Sequence, residues 1–328
     1  VGLKPYFRLE ANGADITPKV LRRLVRLRLV DEVGEGADSV EIVLDDTGGT
    51  IPLPRQGASL EVWLGWDGAG TKMGRYTVDE VELSGAPDVL TIRGRSAPFI
   101  GEATPYKALT SQKSRSWDLM TIDLLVAAIA GEHGLRPIVG PEFIGQALPH
   151  LDQFDESDIN LLRRVMMDRD AAVKVNGGCL LVVKRAKGQN SAGAPLVPVV
   201  LTPGEVSSRT VTITGRAFAR SVIATWNDIQ TGQLREARAG SGEPVKRLRN
   251  PLPNQEAAQR AADAAMEAGR RGHSTLSVTL PGRPALQSEA TLTMQGFREG
   301  VDGEWLIQHV AHNLTAEGYT CEVEAITP

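Results

Sequence analysis

Residues 74–96 read GRYTVDEVELSGAPDVLTIRGRS, and their pattern decides the fold class. Tyr76-Thr77-Val78 runs on into Val81 and Leu83, a Gly/Pro turn follows at 85–88, and Leu90 and Ile92 close the stretch. Successive side chains of a strand point to opposite faces, so this alternation predicts an antiparallel hairpin with one buried face. The same alternation extends upstream. It recurs at Leu60, Val62 and Leu64, at Val40, Ile42 and Leu44, and in Val25-Arg26-Leu27-Arg28-Leu29. Asn12-Gly13, after Tyr6–Ala11, is a hairpin-turn signal. Residues 6–97 therefore read as a β-sandwich or barrel.

The pattern returns near the C-terminus. Gly74-Arg75-Tyr76-Thr77-Val78 lines up with Gly303-Glu304-Trp305-Leu306-Ile307. At that offset Val81 meets Val310, Leu90 meets Tyr319, Thr91 meets Thr320 and Ile92 meets Cys321. After a one-residue shift Val62 and Leu64 meet Leu292 and Met294. After a larger one Val40, Ile42 and Leu44 meet Leu276, Val278 and Leu280. Unrelated meanders share such alternation too. Read as a duplication, it puts two copies of one β domain in a chain, so three chains would present six similar surfaces to a sixfold partner.

Between the two β regions the period changes. Trp117–His133 carries Leu119, Ile122, Leu125, Val126 and Ile129 at helical spacing, with Gly134 as its stop. A second helix is predicted over Asp155–Asp168, capped by Asp155. Ala172–Val175 and Cys179–Lys184 read as a hairpin across Asn176-Gly177-Gly178. A Gly/Ser/Ala/Pro connector follows at 187–196. Residues 197–228 return to β, 230–249 read as a long exposed loop, and Asn254 caps an Ala-rich helix over 255–271 that stops at Gly272. The expected organisation is mainly β with an α+β insert: two related tube-like antiparallel β-barrel or sandwich domains, 1–100 and 191–328, flanking a small helical module at 101–190.

The 328 residues are 41% hydrophobic, enough for real cores, with a formal net charge of −4 that gives no global attraction to nucleic acid. No run approaches the ~18 apolar residues of a membrane span, so stable membrane insertion is not expected. Val1–Pro5 lacks a signal-peptide core, which sets an expectation of assembly in a cytoplasm. Cys179 and Cys321 read as two buried thiols.

Few residues suggest chemistry. Gly65–Lys72 has the wrong order for a phosphate loop, because Lys must follow the second Gly directly. His309 and His312 are an odd number apart on a strand and face opposite ways, while His133, His150 and His273 lie apart in sequence; no metal site is expected. Asp152, Asp155, Glu156 and Asp158 suit a helix start better than a cation loop. Arg22, Arg23, Arg26 and Arg28 lack the aromatics of a nucleic-acid surface and read as a solvated strand face opposite Glu41 or Glu61. Arg235, Arg238, Lys246, Arg247 and Arg249 form a second basic cluster and are the candidate partner contact. No catalytic residue, metal ligand or cofactor site is assigned.

Residues 74–96, Gly57-Ala58-Ser59-Leu60 leading to Gly65-Trp66, and the run His150–Asp158 occur in the order found in the phage late control D protein family, which this chain resembles over most of its length. The resemblance implies a non-catalytic, homotrimeric baseplate hub of a contractile phage tail or R-type bacteriocin, related to the hub part of type VI secretion spike proteins. It implies a pseudo-sixfold ring adapting the tail tube, or its initiator, to a trimeric spike. The tape-measure protein and other baseplate proteins would lie nearby. It places the protein in the host cytoplasm during assembly, then in the baseplate of the particle. No needle segment is expected after the second β region, and the short middle module, accounted for by two helices and a hairpin, counts against the muramidase insert of some hubs. The alternative reading, a peptidoglycan hydrolase or cell-wall-binding tail component, rests on the acidic cluster at 152–158.

Overall fold

The computed structural model describes residues 2–33, 38–96, 109–176, 178–185, 196–213, 219–271 and 274–328. The first β region folds as β1 (Pro5–Ala11), β2 (Ala14–Asp15), a single-turn α1 (Thr17–Val20), β3 (Leu24–Glu32), β4 (Ser39–Asp45), β5 (Ser59–Trp66), β6 (Ala69–Ser84) and β7 (Val89–Arg95). Asn12-Gly13 and Asp67-Gly68 form two-residue hairpin turns with φ of 50°, 79°, 51° and 83°. Both central residues of such a turn need positive φ, which is why Asn-Gly and Asp-Gly occupy them. Gly65–Lys72 is thus a hairpin and not a phosphate loop.

The middle of the chain supplies β8 (Gln112–Trp117), α2 (Ile122–Glu132), β9 (Arg136–Val139), β10 (Leu151–Ser157), α3 (Asp158–Met167), β11 (Ala171–Asn176) and β12 (Cys179–Lys184). The β11–β12 hairpin is the predicted one. Both helices, however, start later than their sequence period suggests. Trp117 ends β8, and Leu119 has φ 51° and is 96% exposed, so it belongs to no stripe. Residues 151–157 are held as a strand against β8 with a bulge between Gln153 and Glu156. The cap of α3 is therefore Ser157, which accepts from Asn160 N at 3.4 Å, and not Asp155. Leu125, Ile129, Leu161, Leu162, Leu180 and Val182 build this module's own core.

The remainder gives β13 (Val199–Leu201), β14 (Ser208–Ile213), β15 (Ser221–Asp228), β16 (Gln233–Gly240), β17 (Val245–Arg247), α4 (Gln255–Arg270), β18 (Ser274–Pro281), β19 (Thr291–Met294), β20 (Gly303–Thr315) and β21 (Gly318–Ile326). Asn254 caps α4 by accepting from Ala257 N at 2.9 Å. The expected loop at 230–249 is a correction: β16 and β17 flank β15 in a three-stranded sheet under α4. Ala237 and Ala239 of β16 meet Ala258, Ala262 and Met266 of α4. Alanine carries little strand signal, yet here it lets sheet and helix approach closely. The connector at 187–195, Gly272 and His273 lie outside the described residues.

The large sheet explains the repeat. Its path is β14-β18-β21-β20-β3-β4-β7-β6-β5-β1-β2, with β19 on β20 and β13 on β19. The run β3-β4-β7-β6-β5 therefore has the same order as β14-β18-β21-β20-β19. Both long strands carry a bulge at the matching place, after Val78 in β6 and after Ile307 in β20. The alignments of residues 74–78 with 303–307 and of β4 with β18 coincide with this register. Two others are corrected. Cys321 and Val323, not Tyr319 and Cys321, occupy the places of Leu90 and Ile92. Leu292 and Met294 occupy those of Leu60 and Val62. Each slip is two residues, which keeps every side chain on its face, so alternation alone does not detect it. One core runs under both halves, including Leu27, Ile42, Leu64, Leu280, Val310 and Tyr319.

Candidate assembly interface

The two halves meet where β3 adds to β20. Seven residue pairs run antiparallel from His309 opposite Glu32 to Thr315 opposite Arg26. Below them Lys174 of β11 reaches Asp31 and lies 2.8 Å from Asp38, and Ser288 bonds Asp31 through its backbone N at 2.9 Å. Burial would raise the Asp31 carboxyl, but the Lys174 charge and the Ser288 bonds outweigh it and hold it low. Burial and the neighbouring Asp31 charge push Asp38 up to about 8. The pair thus keeps one charge to match one lysine, which joins the middle module to both β regions. A second joint is Trp66, whose indole donates to Gly282 O at 2.8 Å and lies 5.5 Å from the Tyr319 ring.

On the face of the first half away from the core, Arg93 bonds Glu41 at 3.0 Å, Glu80 at 2.7 Å and Glu82 at 2.9 Å, and Arg26 bonds Glu41 at 2.5 Å. Arg26 and Arg28 thus lie on the β3 face beside Glu41, as expected, whereas Arg22 and Arg23 fall in the turn before β3, with Arg23 donating to Thr50 Oγ1 at 2.9 Å, and Glu61 takes Lys72 instead, at 2.6 Å. The second basic cluster is partly satisfied within its own sheet. Arg235 pairs with Asp228 at 2.8 Å, Arg247 with Glu236 at 2.5 Å, and Arg238 donates to Ser221 Oγ at 2.9 Å. Lys246 and Arg249 line a cleft with Arg164, Arg185 and Arg271.

The acids at 152–158 part company. Asp152 takes His150 at 3.0 Å, Asp155 takes Ser114 Oγ at 3.0 Å, and Glu156 takes Arg164 at 2.8 Å. Asp158 is wholly buried and accepts from Lys113 at 2.5 Å, Arg115 at 2.7 Å, His133 Nε2 at 2.7 Å and Gln153 at 2.8 Å. Burial alone would raise this carboxyl, but the bonds from His133, Lys113 and Gln153 hold it well below the carboxylate range. Glu132, His133 and Asp158 lie close enough to hold a metal. Lys113 and Arg115 already reach both carboxylates, so the two acids are satisfied by an ion network, while among the described residues His133 Nδ1 is buried with no hydrogen-bond partner. Sequence reasoning missed Lys113 and Arg115, whose strand alternates charge with serine and has Trp117 as its one apolar residue.

His309 and His312 do face opposite ways. His309 meets Glu32 at 3.1 Å, while His312 is buried beside the Tyr319 hydroxyl at 2.8 Å. Burial pushes the His312 ring down to about 4 and the Cys321 thiol up to about 11, so both stay neutral near pH 7. Cys179 and Cys321 are both buried, and no disulfide joins them. No helix among the described residues is long and apolar enough to cross a membrane.

The profile of the phage tail baseplate hub (GPD) family matches residues 42–318. The chain belongs to that family. It is a baseplate hub protein of a contractile tail. It is similar to the probable baseplate hub protein of Escherichia phage 186, at 33% identity over 98% of this chain and 92% of the relative. The corresponding protein of Escherichia phage P2 is 31% identical over 98% and 93%. Among solved structures, the hub's fold resembles the 43 kDa tail protein of prophage MuSo2 from Shewanella oneidensis. The TM-score is 0.73 at 14% identity, over 98% of both chains.

Proposed function

We propose that three copies of this hub close a ring that adapts a sixfold tail tube to a threefold spike, with tube, spike, tape-measure and neighbouring baseplate proteins as partners. The observation that carries this is the repeated strand order, β3-β4-β7-β6-β5 and β14-β18-β21-β20-β19, within one sheet. Two similar units per chain give three chains six similar surfaces while the ring keeps threefold symmetry. On this reading residues 1–100 and 191–328 are the ring-forming units, and 101–190 is a module carried on it. The exposed cations of β16, β17 and the loop after them, from Arg235 to Arg249, face neighbouring baseplate proteins. The hub acts by shape, not by catalysis: Asp158 is taken up by Lys113, Arg115, His133 and Gln153, and of its acidic neighbours Asp152 and Asp155 are exposed, Glu156 is half-buried, and each is separately paired.

Light scattering on the purified hub, alone and mixed with its spike, tests the ring. The expected particle holds three times the 35.2 kDa chain; a monomer under both conditions refutes it. Zymography on cell-wall substrate is expected to show no clearing, and clearing lost in Asp155→Ala would replace this reading with a hydrolase.

A further inference from the structure

The β3–β20 junction has an unused counterpart at the two ends of the same run of strands. Register maps β6 onto β20 through their shared bulge, so Val81 corresponds to Val310 and Leu83 to His312. Pairing through β4 and β18 maps β3 onto β14, so Leu29 corresponds to Val211 and Asp31 to Ile213. Inside the chain, Val310 lies opposite Asp31 and His312 opposite Leu29. Among the described residues, Asp79–Ser84 pair only with β7, and β14 pairs only with β18. Each therefore leaves one backbone edge open, and open edges template strand addition.

The side chains agree. Val310, His312 and Leu29 are at most 2% exposed at the internal junction, whereas Leu83 is 59% and Ile213 68% exposed. Val81 and Val211 already lean on the core at the margins of these open edges. Two exposed aliphatic residues thus stand where the equivalent junction buries its contacts. The occupant that fits both edges is another copy of this chain, since each copy carries both halves of the contact.

We propose that β14 of one copy adds antiparallel to β6 of the next, with Val211 opposite Leu83 and Ile213 opposite Val81. This rests on the ring reading above and specifies its seam. Thr210–Ile213 would pair with Val81–Ser84, fewer residues than at β3–β20 because β6 ends at Ser84 where β20 continues to Thr315. The seam is apolar on the core side. On the other face Glu82 meets Thr212, so no like charges oppose each other.

Cysteine cross-linking tests the register. Residues directly opposite in an antiparallel pair have Cα atoms about 4.5–5.5 Å apart, within disulfide reach. Diagonal neighbours are about 7–8 Å apart, too far. Within one chain β14 and β6 are seven strand spacings apart, about 34 Å along the sheet, so a bond must link two chains. Leu83→Cys with Val211→Cys is expected to oxidise to linked dimers and trimers, and Leu83→Cys with Ile213→Cys to leave mostly monomer on the gel. Ile213→Lys, exposed in the single chain, should keep the urea midpoint and weaken the trimer at least tenfold. Ile229→Lys, 91% exposed and off the seam, should leave it intact. A wild-type trimer that neither cross-links at 83/211 nor loosens with Ile213→Lys overturns the seam and spares the ring; a wild-type monomer with and without spike overturns both.

Discussion

Asp158→Asn isolates the electrostatics of the middle module. The side chain is fully buried and accepts from Lys113, Arg115, His133 and Gln153. The substitution keeps the shape, removes the charge and replaces one acceptor with a donor facing cations. Breaking a buried ion pair by removing one partner costs about 3–5 kcal/mol. Lys113 and Arg115 are 17% and 27% exposed and keep Glu132 at 2.8 and 2.6 Å, so the lower end applies, about 3 kcal/mol. Equilibrium urea unfolding of the hub, followed by its tryptophan fluorescence, measures it. The Asp158 carboxyl is depressed in the folded state, so its contribution is fully present above its unfolded value of about 3.9. It is lost as pH falls toward the folded value. The gap between wild type and variant should be constant from pH 5 to 8 and shrink below pH 4. A cost under about 1 kcal/mol at pH 7, the range of exposed pairs, would refute the buried-network account.

Three further outcomes follow from the joints. Lys174→Met leaves Asp31 and Asp38 buried without their cation and should cost about 3–5 kcal/mol, read as a lower urea midpoint and faster proteolysis of the middle module. Gly282→Ala sets a Cβ about 2.1 Å from the Tyr319 ring and should cost about 1–3 kcal/mol by calorimetry, with the Trp66 bond to residue 282 displaced. His312 has a folded value of about 4 against an unfolded one of about 6.5, so the unfolded chain takes the proton first and stability falls as pH drops from 6.5 to 4. At 1.36 kcal/mol per unit that amounts to about 3 kcal/mol, and His312→Gln should flatten the slope in urea titrations across that window.

The strands of the large sheet were legible because their apolar residues alternate, and the duplication was legible because Gly74–Val78 and Gly303–Ile307 share a register through a common bulge. The offsets of the flanking strands were not. A two-residue slip leaves every face unchanged, so only the observed pairing separates Leu60 from Val62 as the mate of Leu292. β16 was hidden because alanines do its packing, and β8 because Lys113 and Arg115 bury charge against Asp158 where an apolar pattern would be sought. The start of α3 was misplaced because Asp155 and Ser157 are both plausible caps, and the pairing of β10 with β8 chose between them. The seam at β6 and β14 was invisible in sequence, since Leu83 and Ile213 look like ordinary strand residues until their counterparts are seen buried.

The guest position of β3 in the second half's sheet bears on how the hub assembles. Two strands on one chain meet at an effective concentration fixed by the connecting segment, millimolar for short tethers, instead of at the concentration of free subunits. The β3–β20 contact therefore forms at any dilution. A six-unit ring built from such chains has half of its contacts settled by folding, and only the other half depend on how much protein the host cell makes.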